Sequence, residues 1–368
     1  MMLRKIKVFL GGYVNSQGAQ NINCRSLSEH LDKERFVVWT MITWHSYPKN
    51  NEFVRAPGVN YLHDTPSPLT DILHLPYWLF AWMAYAIGIM KCDVAFLPEG
   101  EYDWFCRVWA HIWKCKVFKT LECIIDDALI QQARVDKNHF IKNYKRYEPR
   151  LYAITQYIAN REKDSSGLVF CDKILYLGVD ADRFLNPGRQ HGFLSNIIFI
   201  GYNMVRKRAS VFFRMSTEFP NIQFHVVGGN TLENGVSIED YMERNHINNV
   251  IYHGSLDHAQ LSELLKSMDL MYFPSRSEGF PKVMLETACA GVPTLCYGDY
   301  GADEWITTGK DGFVVKTFEE AQAVIQQLVD HPEQLQDISN NAIELGRRFD
   351  WKVIVKEWEG EIERIAGA

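Results

Sequence analysis

Residues 274–293 read Pro-Ser-Arg-Ser-Glu-Gly-Phe-Pro-Lys-Val-Met-Leu-Glu-Thr-Ala-Cys-Ala-Gly-Val-Pro. They follow an apolar run, Asp269–Phe273, that reads as a strand, and they lead into a short helix. A strand, a turn holding Gly279, Phe280 and Pro281, then a helix start near Lys282 makes an anion site. Free backbone N–H groups point at the ligand there, and the helix dipole adds partial positive charge. A diphosphate suits that place. Glu278 stands in the loop and Glu286 about one turn into the helix, so each carboxylate can accept hydrogen bonds from the hydroxyls of one long ligand, one near each end. Taken alone, the same two glutamates also fit a capping loop and an exposed helix residue.

Positioning such a site requires a sheet with helices, and the chain has the pattern for two. Its 368 residues exceed what one core usually organises and favour two domains of about 150 to 200 residues. Strand-like and helix-like stretches alternate, as expected of a parallel sheet covered on both faces. In the first half the strands read as Ile6–Leu10, Phe36–Ile42, Val59–His63, Asp93–Leu97, Lys116–Leu121, Ala153–Ala159 and Lys173–Leu177. After Gly178 the alternation restarts with Asn196–Ile200 and runs to Gly312–Val315. Residues 186–192, rich in breakers, read as an interdomain linker. The expected fold class is α/β, with a first domain over 1–180, a second over 181–348 and a last helix over 349–368. Doubly wound sheets bind ligands at the carboxyl ends of their strands, so the site is expected in a cleft between the domains, drawing on both.

Composition sets the surroundings. With 47% hydrophobic and 23% charged residues the chain is an ordinary folded protein, neither disordered nor of low complexity. Residues 1–180 hold 22 Lys+Arg against 19 Asp+Glu, the remainder 17 against 26. Much of the basic surplus lies between Arg134 and Arg150, a run that reads as a solvated helix face or as a patch for phosphates or an anionic lipid surface. Nothing is basic enough to argue for nucleic acid. The eight cysteines show no Cys-x-x-Cys pair and no zinc spacing, which points to a reducing compartment and no metal site. Leu75–Met90 is sixteen residues without a charge, too short for a membrane span. It reads as a buried helix, or as one whose exposed face enters a membrane interface.

The stretch around Glu278 and Glu286 resembles the E-x7-E signature of the retaining GT-B glycosyltransferases, and its wording is most similar to the family-four group, the group 1 glycosyl transferases. Other stretches agree in order. Leu177–Phe184 resembles the GVDxxxF segment that closes the first domain; Asp180 and Asp182 fit a structural turn there better than a metal-binding pair. Ile198–Lys207 is similar to the loop in which basic side chains clamp the donor diphosphate. Tyr202 stands where an Arg is usual and Arg208 where a Gly is usual, so the clamp falls to Arg206 and Lys207. Gly228 lies in the strand end that borders the nucleotide base, and Glu304 matches a glutamate beyond the motif. Gly18 opens the first long helix in a loop like the family's GGxE, and Glu122 stands where many members have a histidine beside the transferred sugar. Glu99 is a second acceptor-side candidate.

The resemblance implies a GT-B fold, two Rossmann-like domains with a cleft and a crossover helix. It implies transfer of a hexose from a UDP- or GDP-sugar to a saccharide or lipid-linked saccharide with retention, for cell-surface polysaccharide or lipopolysaccharide. No cofactor or metal is implied: Glu278, Arg206, Lys207 and Glu122 carry the chemistry, and Glu286, Gly279, Phe280, Pro281, Lys282, Gly18 and Gly228 hold the donor. The place implied is the cytoplasm, at the inner face of the membrane. The rivals are a nucleotide-sugar epimerase or phosphorylase of the same fold and a non-catalytic sugar-nucleotide binding module.

Overall fold

The computed structural model describes residues 4–16, 18–43, 53–63, 77–97, 103–126, 130 and 136–367, the side chains of Tyr77 and Trp78 excepted. They form two compact units, one of Met1–Ile154, Ala159–Leu177 and Trp351–Ala368, the other of Thr155–Ile158 and Gly178–Asp350.

The first unit holds a parallel sheet of order β3-β2-β1-β4-β5-β6, built from β1 (Ile6–Tyr13), β2 (Phe36–Ile42), β3 (Val59–His63), β4 (Val94–Phe96), β5 (Lys116–Leu121) and β6 (Leu151–Ala153). Helices α1 (Ala19–His30), α2 (Tyr77–Lys91), α3 (Asp103–Trp113) and α4 (Lys137–Lys145) connect them. Central β1 reads as an unbroken apolar run because helices cover both its faces; Val8, Phe9 and Leu10 are fully buried. Tyr85 of α2 meets Phe9 edge-on at 6.0 Å, and Trp82 stacks on Phe105 of α3 at 4.8 Å. Sequence order reverses between β1 and β4, and a ligand crevice belongs at such a switch. Helix α12 (Trp351–Ala366) belongs to this unit. Trp358 is fully buried there, donating its indole N–H to the Tyr176 carbonyl at 2.9 Å.

The second unit repeats the plan with order β12-β11-β10-β7-β8-β9, again parallel. Its strands are β7 (Asn196–Gly201), β8 (Gln223–Gly228), β9 (Val250–Tyr252), β10 (Leu270–Phe273), β11 (Thr294–Tyr297) and β12 (Gly312–Val315). Helices α6 (Ala209–Glu218), α7 (Ile238–Arg244), α8 (His258–Leu265), α9 (Lys282–Cys289), α10 (Phe318–Asp330) and α11 (Glu333–Arg348) enclose it. The switch falls between β7 and β10, so the loops leaving Gly201 and Phe273 emerge side by side.

Three sequence expectations change. The strand expected over Ala153–Ala159 ends at Ala153, and helix α5 (Gln156–Ser166) begins three residues later. Thr155 is the reason, since its hydroxyl accepts the Ile158 N–H at 3.1 Å. Lys173–Leu177 forms no strand, although Cys171 and Leu175 each donate a backbone bond to β6. Residues 186–192 lie within the second unit and are no linker: Arg189 and His191 both bind Asp269, at 2.8 and 3.1 Å. The uncharged Leu75–Met90 stretch is described from Tyr77, as α2. That helix buries Ala81, Ala84, Tyr85 and Ile89 and exposes Leu79, Met83 and Met90.

Candidate active site

At the switch point of the second unit, the strand ends come together too tightly for side chains. A Cβ on Gly228, whose φ is +127°, would stand 1.9 Å from the Gly201 carbonyl oxygen, and one on Gly201 would stand 2.3 Å from Lys207 Cδ. Only glycine fits at Gly228, against backbone, and a side chain on Gly201 would displace Lys207. The loop leaving Gly201 turns on Arg208, which sits in the left-handed region at φ 57° and caps α6. The resembled family usually has glycine here, and the backbone shows why. Arg206 and Lys207 precede that turn, so both project toward the loop that follows β10.

The loop after β10 supplies the partner. Lys207 Nζ lies 3.0 Å from Glu278 Oε1 and 4.4 Å above the Phe273 ring. Arg206 Nη1 lies 3.1 Å from Glu278 Oε2 and also donates to the Ser277 carbonyl at 2.7 Å. The Ser275 hydroxyl donates to Glu278 Oε1 at 2.8 Å. Two cations thus converge on one carboxylate, a local positive surplus that an anionic ligand would relieve. Burial pushes the Lys207 ammonium pKa down, with Glu278 opposing the shift. Glu278 aligns the two cations in this arrangement.

The helix behind this loop starts open. Pro281 is the N-cap of α9, and no side chain caps that end. Pro281 has no N–H of its own and its fixed φ sets the entry angle. Phe280 anchors the turn, its ring 5.1 Å from Trp305 and 5.6 Å from Phe349; Gly279 and Lys282 flank it. Glu286, one turn on, is in a different setting from Glu278. Surrounding protein raises its carboxyl pKa, against the opposing pull of His258, Lys282 and Arg183. Arg183 is itself paired with Asp180 at 2.8 Å. The turn that Asp180 and Asp182 were read as forming is there, as a 3-10 turn over Ala181–Arg183. Ser275, Phe273 and His258 went unnoticed in the sequence because serine, aromatic and histidine residues beside strands carry no spacing signal. Glu304 does something else. It accepts the N–H groups of Gln156, at 2.8 Å, and Tyr157, so it caps α5.

In the first unit, Gly18 is the N-cap of α1, again with no capping side chain. Glu122 follows β5, where its carboxylate accepts from Asn23 Nδ2 at 2.8 Å and from the Thr120 hydroxyl at 3.0 Å. Asn23 of α1 is thus a site neighbour that the sequence alone did not single out. Glu99 lies outside the described residues. Among the described residues, no group of three or more His, Cys, Asp or Glu is placed to hold a metal ion.

Residues 204–345 match the family model described as glycosyl transferases group 1, a span that begins just before Arg206 and includes both motif glutamates. That segment is similar to the group 1 glycosyl transferases. An uncharacterised glycosyltransferase of Methanocaldococcus jannaschii is 21% identical over 231 residues, 62% of this chain and 63% of that protein. A capsular polysaccharide biosynthesis glycosyltransferase of Staphylococcus aureus, CapM, is 24% identical over 143 residues, 38% of this chain and 37% of its own. The chain therefore spans less than two thirds of the length of these curated relatives. Over the whole fold, HepE of Anabaena, solved with UDP and glucose, superposes with a TM-score of 0.71 at 14% identity, covering 98% of this chain and all of that one. The chain has the GT-B fold, two parallel six-stranded sheets with helices.

Proposed function

We propose that this protein is a group 1 glycosyl transferase that moves a hexose from a nucleotide diphosphate sugar to a hydroxyl of a saccharide or lipid-linked saccharide, with retention of anomeric configuration. The observation that carries the reading is the convergence of Lys207 and Arg206 on Glu278 beside the uncapped start of α9. As the glycosidic bond breaks, negative charge grows on the diphosphate. Two positioned cations and a helix N-terminus are oriented to receive it before the reaction begins, so little reorganisation is needed. A diphosphate draws Arg206 and Lys207 toward itself, and Glu278, released from one of them, gains an acceptor oxygen for a sugar hydroxyl. Glu286 binds the ribose hydroxyls in this reading, and its raised pKa suits an acceptor in a partly desolvated place. The acceptor hydroxyl attacks from the face the diphosphate leaves, its proton passing to the leaving phosphate oxygen. No metal enters this scheme.

The donor chemistry is supported by HepE, whose structure holds UDP and glucose, and the polysaccharide role by the capsular relative. Glu122, held by Asn23 and Thr120, is assigned to the acceptor or sugar side. Incubation with UDP-, GDP- or ADP-hexose and saccharide acceptors should release free nucleoside diphosphate and give a product whose anomeric proton coupling matches the donor's. A bound donor that never turns over would leave a binding module. Release of free sugar nucleotide isomer would favour the epimerase.

A further inference from the structure

We propose that α3 of the first unit docks on the surface of a bilayer rich in anionic phospholipid. Trp104, Val108 and Ile112 form one stripe on this helix, at i, i+4 and i+8. They are 62%, 46% and 60% exposed, whereas Cys106 and Ala110 on its other side are buried. Solvated helices do not ordinarily present such a row. Helix α2, packed on α3 through the Trp82–Phe105 stack, adds the exposed Leu79 and Met83.

The apolar stripe borders a cavity of about 770 Å³ whose wall includes Val108 and Ile112. Six basic groups line it: Arg107, His111, Lys114, Lys116, Arg146 and Arg150. Its one carboxylate among the described lining residues, Glu148, accepts the Val169 N–H at 2.8 Å. Lys114 is held in the left-handed region at φ 58°, where the helix ends and glycine would sit without strain. The fold tolerates a strained lysine at the cavity rim. Apolar side chains beside concentrated positive charge are what an anionic lipid interface matches: rings and branched chains enter below the headgroups while phosphates meet the cations. The charge complementarity singles out this occupant over a neutral apolar partner. This surface belongs to the first unit and the proposed donor residues to the second, and it does not depend on the transferase reading.

Co-flotation of the intact chain with vesicles tests it. Binding is expected to phosphatidylcholine vesicles containing phosphatidylglycerol and to fall at least tenfold on pure phosphatidylcholine or in high salt. Ile112→Ser and Trp104→Ser should each weaken it severalfold. Lys114→Gly should weaken it without lowering the melting temperature, an outcome a structural role for Lys114 would not give. Absence of binding, equal binding to both vesicle types or binding indifferent to these substitutions would overturn the proposal. Dimerisation abolished by Ile112→Ser would also overturn it, assigning the face to a second copy of the chain. Nucleotide-sugar stabilisation of the same preparation reports the donor site separately.

Discussion

At the scale of single residues, the proposed donor site rests on Lys207 and Glu278. Glu278 is 8% exposed and holds Lys207, Arg206 and Ser275, so removing one cation leaves a buried carboxylate with fewer partners. Lys207→Ala is expected to lower stability by about 1–3 kcal/mol and donor affinity at least tenfold, read by urea unfolding and by titration of nucleotide sugar. Gly228→Ala places a Cβ where the Gly201 carbonyl lies and forces a strained φ; the expected loss exceeds about 2 kcal/mol, with no soluble folded protein as the extreme result. His225 gives a pH signature. It contacts His253 at 2.9 Å, and burial first, then that neighbour, hold its pKa down to about 4. Above the ordinary histidine value near 6.5 it is neutral folded or unfolded and contributes nothing. Below it the unfolded chain takes up a proton that the folded one refuses, so stability falls with pH by about 1.4 kcal/mol per unit until roughly pH 4. His225→Gln should flatten this part of a stability–pH curve; an unchanged slope would remove His225 as its source.

Elements explain why the sequence was readable in some places and not in others. Glu278, Arg206 and Lys207 were legible because a strand, a turn and a helix start in succession leave a mark in the residues, and the structure brings these three within hydrogen-bonding distance. Glu304 was legible as a motif position but not as a cap, because the helix end it satisfies lies nearly 150 residues earlier in sequence. Glu304→Ala is expected to cost about 1 kcal/mol through α5; intact stability would show that the cap is dispensable. Lys114 was silent in sequence, since a left-handed residue other than glycine leaves no local signal, whereas Arg208 was marked by the glycine usual at its place in the resembled family. Relief of that strain should leave Lys114→Gly as stable as the parent or up to about 1 kcal/mol more so, measured by thermal unfolding. The breaker-rich segment 186–192 was misread for a related reason. Gly and Pro mark irregular backbone but do not tell whether it is free or, as with Arg189 and His191 on Asp269, fastened.

For the whole molecule, two repeated sheets were foreseen from the alternating pattern, and both reverse strand order where chemistry-bearing loops leave them. Length and charge contributed the expectation of two domains; the motifs gave it meaning. The second part of the chain is the acidic one, yet it is proposed to bind an anionic donor, so affinity must come from the local pair Arg206 and Lys207 and from α9, not from the overall field. Helix α12 completes the first unit through Trp351 and Trp358, and Trp358→Ala should cost about 3–5 kcal/mol there. The central claim is that this pair and α9 form a nucleotide-sugar site. Its most direct test is the rise in melting temperature of the parent and of Lys207→Ala and Glu286→Ala across UDP-, GDP- and ADP-hexoses. At least one donor should stabilise the parent, by RT ln(1 + [L]/Kd), and both variants should lose most of that gain. Full stabilisation of either variant, or of none of the three proteins by any donor, would contradict it.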